Sequence, residues 1–183
     1  TMNLDFKKIL SKVDYPADWV GLRYVEEVQN TLSTKNSDVD SIRRMSSKGV
    51  MIDVLVDGQF AYYATPYLDE DHIVQAINTA CKNAKVASKY SIFQFDGAEV
   101  RKGYEGKYRT NCSDSVMDLS IADMKDLALT GAKALFQPKE IVHAAVAIEL
   151  IQRTTRIYST SGADIDQKMD IALIELSSTA QNK

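Results

Sequence analysis

This chain has little of what most catalytic sites are built from. Its 183 residues include only two histidines, His72 and His143, and two cysteines, Cys81 and Cys112. His72 is followed by Ile73 and His143 by Ala144, so neither begins an H-E-x-x-H. With no Cys or Glu at ligand spacing, the pattern excludes a recognisable zinc site. The cysteines form no C-x-x-C, which fits a reducing compartment. Cys112 sits in a polar loop with no adjacent basic residue to activate it. There is no G-x-S-x-G, no P-loop and no G-x-G-x-x-G. Gly103-Tyr104-Glu105-Gly106 does not lead from a strand into a helix N-terminus, so it is no phosphate cradle. No apolar run reaches the length of a membrane span, and no signal-peptide pattern is present. Basic charge is not in excess either. Twenty-two Lys and Arg stand against 25 Asp and Glu, a net charge of −3, which argues against a nucleic-acid partner. Arg43-Arg44 and Arg101-Lys102 read as solvated charge rather than as a patch. Thr1-Met2 reads as a cloning remnant ahead of an initiator methionine.

What is present is a scaffold. The composition, 45% hydrophobic and 26% charged, is that of an ordinary globular domain. Val50, Ile52, Val54 and Val56 put β-branched residues on one face of an extended strand. Asp57-Gly58 is a two-residue hairpin signal, because a type I′ turn needs φ > 0 twice. Gln59-Phe60-Ala61-Tyr62-Tyr63 is the return strand, and Thr65-Pro66 ends it. Asp69 is a good N-cap, with Glu70 and Asp71 complementing the helix dipole and Leu68 and Ile73 at the staple positions. Capping explains this acidic trio better than a metal cluster does. The spacing predicts a helix over 70–88, with Ile73, Ala76, Ile77, Ala80, Cys81, Ala84 and Ala87 as its buried stripe. His72 falls in the first turn as a surface residue, and His143 sits in an apolar strand as a half-buried imidazole.

Residues 3–13 read as a short amphipathic helix on Phe6, Ile9, Leu10 and Val13. A long strand follows on the parity of Val20, Leu22, Tyr24, Val28 and Leu32, interrupted by Glu26 and Asn30. Asn36-Ser37-Asp38 turns the chain, and Val39 to Ser47 reads as a polar strand at an edge or facing solvent. Residues 89–118 are irregular, punctuated by Gly97, Gly103 and Gly106, and either serve function or hide short strands. Ser120 and Asp123 form a capping box, with Leu119 and Met124 as its staple. The helix it opens has the stripe Ile121, Met124, Leu127, Ala128, Gly131 and Leu135, and Pro138 ends it. Ile141–Ile151, Arg156–Thr160 and Ala163–Ser178 are strands, with Ser161-Gly162 as a turn and Ile165, Ile171 and Leu173 on one face of the last. The fold class is therefore α+β: a mostly antiparallel sheet from two strand groups, with helices packed on one face. One domain fits the length, in three blocks of about 1–88, 89–118 and 119–183.

Three passages together resemble the N-terminal domain of the TldD/PmbA family, also called the modulators of DNA gyrase. Ser47 to Tyr62 resembles the family's hairpin, and the helix ending Ala76 to Ala84 follows at the family's distance. Gly103 to Thr110, before the helix from Ser120, is similar to the family's Gly-aromatic-Thr segment. Tyr158 to Gln167 resembles the family's glycine turn and the Ile-x-Gln that follows it. Asn111-Cys112-Ser113-Asp114 stands where D-P-F is common. The resemblance implies zinc-dependent peptide hydrolysis in a metal-bearing branch, through an H-E-x-x-x-H helix and a later cysteine of a C-terminal half. This sequence contains none of those residues, so no catalytic, cofactor or metal residue is assigned to it. The Gly-aromatic-Thr stretch favours the metal-bearing branch over the metal-free partner subunit. The resemblance further implies a cytoplasmic protein, a peptide or unfolded-protein substrate, a homo- or heterodimer of family subunits, and no nucleic acid or membrane partner. A stand-alone peptide- or protein-binding module is the other reading of the residues.

Overall fold

The computed structural model describes residues 4–96, 102–137 and 139–181. Helix α1 (Phe6–Ser11) is followed by β1 (Trp19–Lys35), β2 (Asp38–Val56), β3 (Gln59–Thr65) and α2 (Glu70–Ser88). Then come β4 (Glu105–Arg109), a short 3-10 turn (Val116–Asp118), α3 (Ile121–Leu135), β5 (Ile141–Ser159) and β6 (Asp164–Ala180). The strands form one six-stranded, mostly antiparallel sheet in the order β3-β2-β1-β5-β6-β4. The α+β class holds. Among the described residues no helix is long and apolar enough to cross a membrane.

Contacts divide the chain into two units. The first comprises Thr1–Glu26, Lys48–Tyr108 and Thr154–Gln167, the second Glu27–Ser47, Arg109–Arg153 and Lys168–Lys183. In the first unit, Asp57 and Gly58 both take positive φ, 49° and 71°, as the type I′ turn demands. That turn sets the β2–β3 register from Val56↔Gln59 to Val50↔Thr65. One face then carries Val50, Ile52, Val54 and Val56, all buried together with Val20, Leu22 and Tyr24 of β1. Helix α2 covers them with Ile73, Ala76, Ile77, Ala80, Cys81 and Ala84. Its small alanines let the helix axis approach the strands closely, while each isoleucine removed from water contributes about 2 kcal/mol. Ala87, assigned to the stripe by spacing, is exposed, because the last turn runs past the strands. The cap forms as the sequence asks: the Asp69 side chain accepts from the His72 backbone N–H at 3.0 Å. Glu70 accepts from Lys8 Nζ at 2.7 Å and from Lys12, tying α1 to α2.

In the second unit the core is smaller: Leu32, Met124, Ala128, Ala132, Val146, Ile148 and Leu150. The capping box is present, with Asp123 N–H donating to Ser120 Oγ at 3.1 Å and Ser120 N–H to Asp123 Oδ2 at 3.0 Å. The buried stripe of α3 is Met124, Ala128 and Ala132, not the one that spacing suggested, since Ile121 and Leu127 are exposed. The helix seats on Met124, Ala128 and Ala132 against Val146, Ile148 and Leu150 and leaves Leu127 half exposed. Pro138, expected to end this helix, lies outside the described residues; α3 closes at Phe136, whose N–H donates to Ala132 O.

Two expected breaks in strands do not occur. Val39–Ser47 is continuous with the apolar run after it, and Arg153-Thr154-Thr155 lies inside β5. Polar residues interrupt the apolar pattern without interrupting the backbone ladder, because Arg153 Nε reaches Glu27 at 2.5 Å and Thr155 is buried. The polar stretch of β2 lies beyond the reach of β3, whose register stops at Val50, so its outer edge is unpaired by β3 and it is solvent-facing as expected. The irregular segment does hide a strand, β4, whose five residues are all exposed.

Candidate binding cleft

Alternation along the strands gives the first unit two unlike faces. The even positions of β1 and β2 make the core. The odd positions, Trp19, Gly21 and Arg23 with Met51 and Asp53, line a cleft of about 740 Å³. Tyr62 of β3 and Lys102 and Tyr104 of the segment before β4 complete its rim. The register places Tyr62 directly opposite Asp53.

The floor is built around the one tryptophan of the chain. Its ring lies over Gly21, where an added Cβ would stand 2.2 Å from Trp19 Cη2. Only a residue without a side chain leaves that space. Trp19 Nε1 donates to Ser161 Oγ at 2.9 Å, Ser161 Oγ is 2.8 Å from Ser159 Oγ, and Ser159 Oγ accepts from Ala163 N–H at 3.1 Å. A hydroxyl relay thus locks the indole to the β5–β6 turn. Gly162 in that turn takes φ of 92°, the left-handed conformation glycine tolerates. Gly103 presses against it: a Cβ there would come within 2.3 Å of Ser161 O and Gly162 C. This backbone-on-backbone contact lets Asp164 N–H donate to Tyr104 O at 3.0 Å and holds Tyr104 beside the cleft.

Charge in the cleft is distinctive. Arg23 Nη2 lies 2.8 Å from Met51 Sδ, a weak acceptor. Among the described residues that is the one hydrogen bond of its guanidinium, and no carboxylate pairs with it. Among the described residues Lys102 likewise has no carboxylate partner. Asp53 is the single acid in the lining. The aromatic wall continues outward from Tyr62 to Phe60, stacked at 6.4 Å, and to Phe95, edge-on to Phe60 at 5.2 Å.

The residues singled out in the sequence lie elsewhere. His72 is exposed, with Nδ1 2.7 Å from Asp69, and its ring lies 4.8 Å from that of Tyr67. The Asp69 carboxyl is held below the usual range, chiefly by the His72 backbone N–H and then by its ring. His143 is half-buried in β5. Burial pushes the Cys81 thiol up to about 11, which makes it a core residue and no nucleophile. Burial, seconded by a 2.9 Å hydrogen bond to Glu26, pushes Tyr24 up to about 12. Cys112 is a free, exposed thiol. Arg43 and Arg44 are exposed on β2, and Arg101 lies outside the described residues. Among the described residues no three His, Cys, Asp or Glu stand close enough to hold a metal. Sequence reading missed Trp19, Arg23, Asp53 and Tyr62 as a set. The available signal was the odd parity of β1, where a Gly between Trp and Arg marks a face shaped by something other than core packing.

Residues 20–84 match the family model described as PmbA/TldA metallopeptidase domain 1. Over that stretch, about a third of its length, the chain is similar to a PmbA/TldA first domain. No curated protein matches it. Among solved structures it resembles a candidate modulator of DNA gyrase from Bacteroides thetaiotaomicron, at TM-score 0.75 and 14% identity over 100% of this chain and 43% of that one. A candidate modulator of a DNA gyrase from Thermotoga maritima matches at TM-score 0.66 and 21% identity, over 90% of this chain and 36% of that one. TldE from Thermococcus kodakarensis matches at TM-score 0.63 and 15% identity, over 96% of this chain and 38% of that one. These likenesses establish the shared fold. The chain spans 36% to 43% of the length of these solved structures. The zinc implied by the family's metallopeptidase name does not fit any donor set among the described residues.

Proposed function

We propose that this chain is the non-catalytic first domain of a PmbA/TldD-type peptidase. It shapes the path of an extended peptide and the contact with a second family subunit. Residues outside these 183 carry zinc and hydrolyse the peptide bond. The match of residues 20–84 to a metallopeptidase first domain carries this reading. Two features support it. The outer edge of β3 is a strand edge that a peptide can join by main-chain hydrogen bonds. The cleft of the same unit combines aromatic walls with charged groups, the lining expected of a recognition surface. Free thiols at Cys81 and Cys112 suit a reducing, cytoplasmic setting.

Zinc content and peptide turnover of the purified 183-residue chain test the proposal. The expected results are substoichiometric metal and no hydrolysis that follows the protein through repurification. Tight equimolar zinc or intrinsic turnover would overturn it. Reading the gene downstream of Lys183 separates this proposal from a stand-alone binding module: an H-E-x-x-x-H there supports the peptidase, and a stop codon the module.

A further inference from the structure

We infer that the cleft of the first unit recognises a carboxylate of its peptide ligand, with Arg23 as the principal specificity-determining residue and Lys102 as its second. This rests on the peptide-handling reading above and adds the chemistry of the ligand.

Three observations lead there. The chain as a whole is acidic, at net −3, yet among the described residues the cleft holds two cations, Arg23 and Lys102, against one acid, Asp53. Among the described residues the guanidinium of Arg23 is offered only a thioether, which leaves most of its donor fork to solvent and to ligand. A planar fork with free donors matches a carboxylate in two parallel hydrogen bonds, which an ammonium cannot do. Finally, the cations are bordered by Tyr62 and Tyr104, which are 61% and 70% exposed, and by the ring of Trp19. The ligand's carboxylate therefore has apolar neighbours within the same volume. A peptide segment with an aromatic or aliphatic residue next to the carboxylate fills both requirements. The carboxylate can be that of a Glu or Asp side chain or that of the peptide's C-terminus.

Trp19 makes the test direct, since it is the sole tryptophan and lies in the cleft. Short N-acetylated peptides that contain Phe but no Trp are titrated into the 183-residue chain while Trp19 emission is followed, with calorimetry as a second readout. One series carries Glu beside Phe with an amidated C-terminus, one replaces Glu by Gln, and one keeps Gln but has a free C-terminus. Binding by a carboxylate-bearing series, with the Gln amide at least about tenfold weaker, is expected. Which of the two carboxylate series binds identifies the source. Arg23→Gln should weaken the preferred peptide by about tenfold or more and Lys102→Gln by less, with the far-ultraviolet circular dichroism unchanged. Raised salt should weaken binding further. Equal binding of the Gln amide, or full affinity in folded Arg23→Gln, overturns the inference. Because the readout is binding, it fails or succeeds independently of whether the parent protein proves to be a zinc peptidase.

Discussion

The two units use the same materials for different ends. In the first, β-branched residues alternate without a miss along β2, and a helix with an unbroken apolar stripe covers them. The opposite face is correspondingly free to hold Trp19, Arg23, Asp53 and Tyr62. In the second, the cluster is less than half as rich in residues, and the helix rests on two alanines and one methionine. Large apolar side chains stay in water there: Leu127, Leu173, Ile174 and Leu176 are each at least half exposed. Each unit carries one buried amide oxygen without a partner among the described residues, Asn78 Oδ1 in the first and Asn30 Oδ1 in the second, and the smaller core has less around it to offset that cost. A dense core on one side of a sheet permits a specialised surface on the other. A thin core leaves apolar residues without a covering partner.

The sharpest way to break this contrast is to remove side chains from the two helices. Ile77→Ala empties a fully buried site of the first unit and should cost about 3 kcal/mol in urea unfolding, while Leu127→Ala should cost less than about 0.5 kcal/mol. Similar losses at both sites would show that the second helix is covered after all.

A smaller effect of opposite sign is expected at Asn30. Asn30→Leu replaces a buried amide whose Oδ1 has no partner among the described residues by an apolar group of similar size and should stabilise by about 1 kcal/mol. A destabilised variant would mean that the amide makes a bond on which the fold depends.

The smallest effect concerns the tie between α1 and α2. Hydrogen bonds from Lys12 and then Lys8 hold the Glu70 carboxyl below its ordinary range. A depressed carboxyl contributes stability above its unfolded value and loses it as the pH falls through its folded one. Glu70→Gln should therefore be slightly less stable than the parent at neutral pH. The gap should close on acidification below the usual glutamate range, as read from denaturation midpoints at several pH values. Since the groups are exposed, high salt should narrow the gap as well. A gap that is constant across pH would remove the ion pairs as its cause.

Much of the fold was legible because it rests on local chemistry. The type I′ turn at Asp57-Gly58, the Asp69 cap and the Ser120–Asp123 box each involve groups a few residues apart, and each formed as read. The long strands were legible in their apolar halves and not where polar residues supervened, as at Thr154 and Thr155. The stripe of α3 was misread because Ile121 and Leu127 have helical spacing without having a surface to meet. The cleft was least legible of all. Its residues come from five strands and the segments that connect them, and none has an unusual neighbour in sequence except Gly21.

By itself, then, the sequence determined the hairpin, the helix termini and the α+β class, since turn conformation, capping and period-two burial act over a few residues. Tertiary structure alone decided which flank of α3 is covered and how Trp19, Arg23, Asp53 and Tyr62 come to share one volume. Those outcomes depend on register between strands distant in the chain and on backbone approaches such as Gly103 to the Ser161–Ala163 turn. Neither is encoded in the spacing of residues along a single segment.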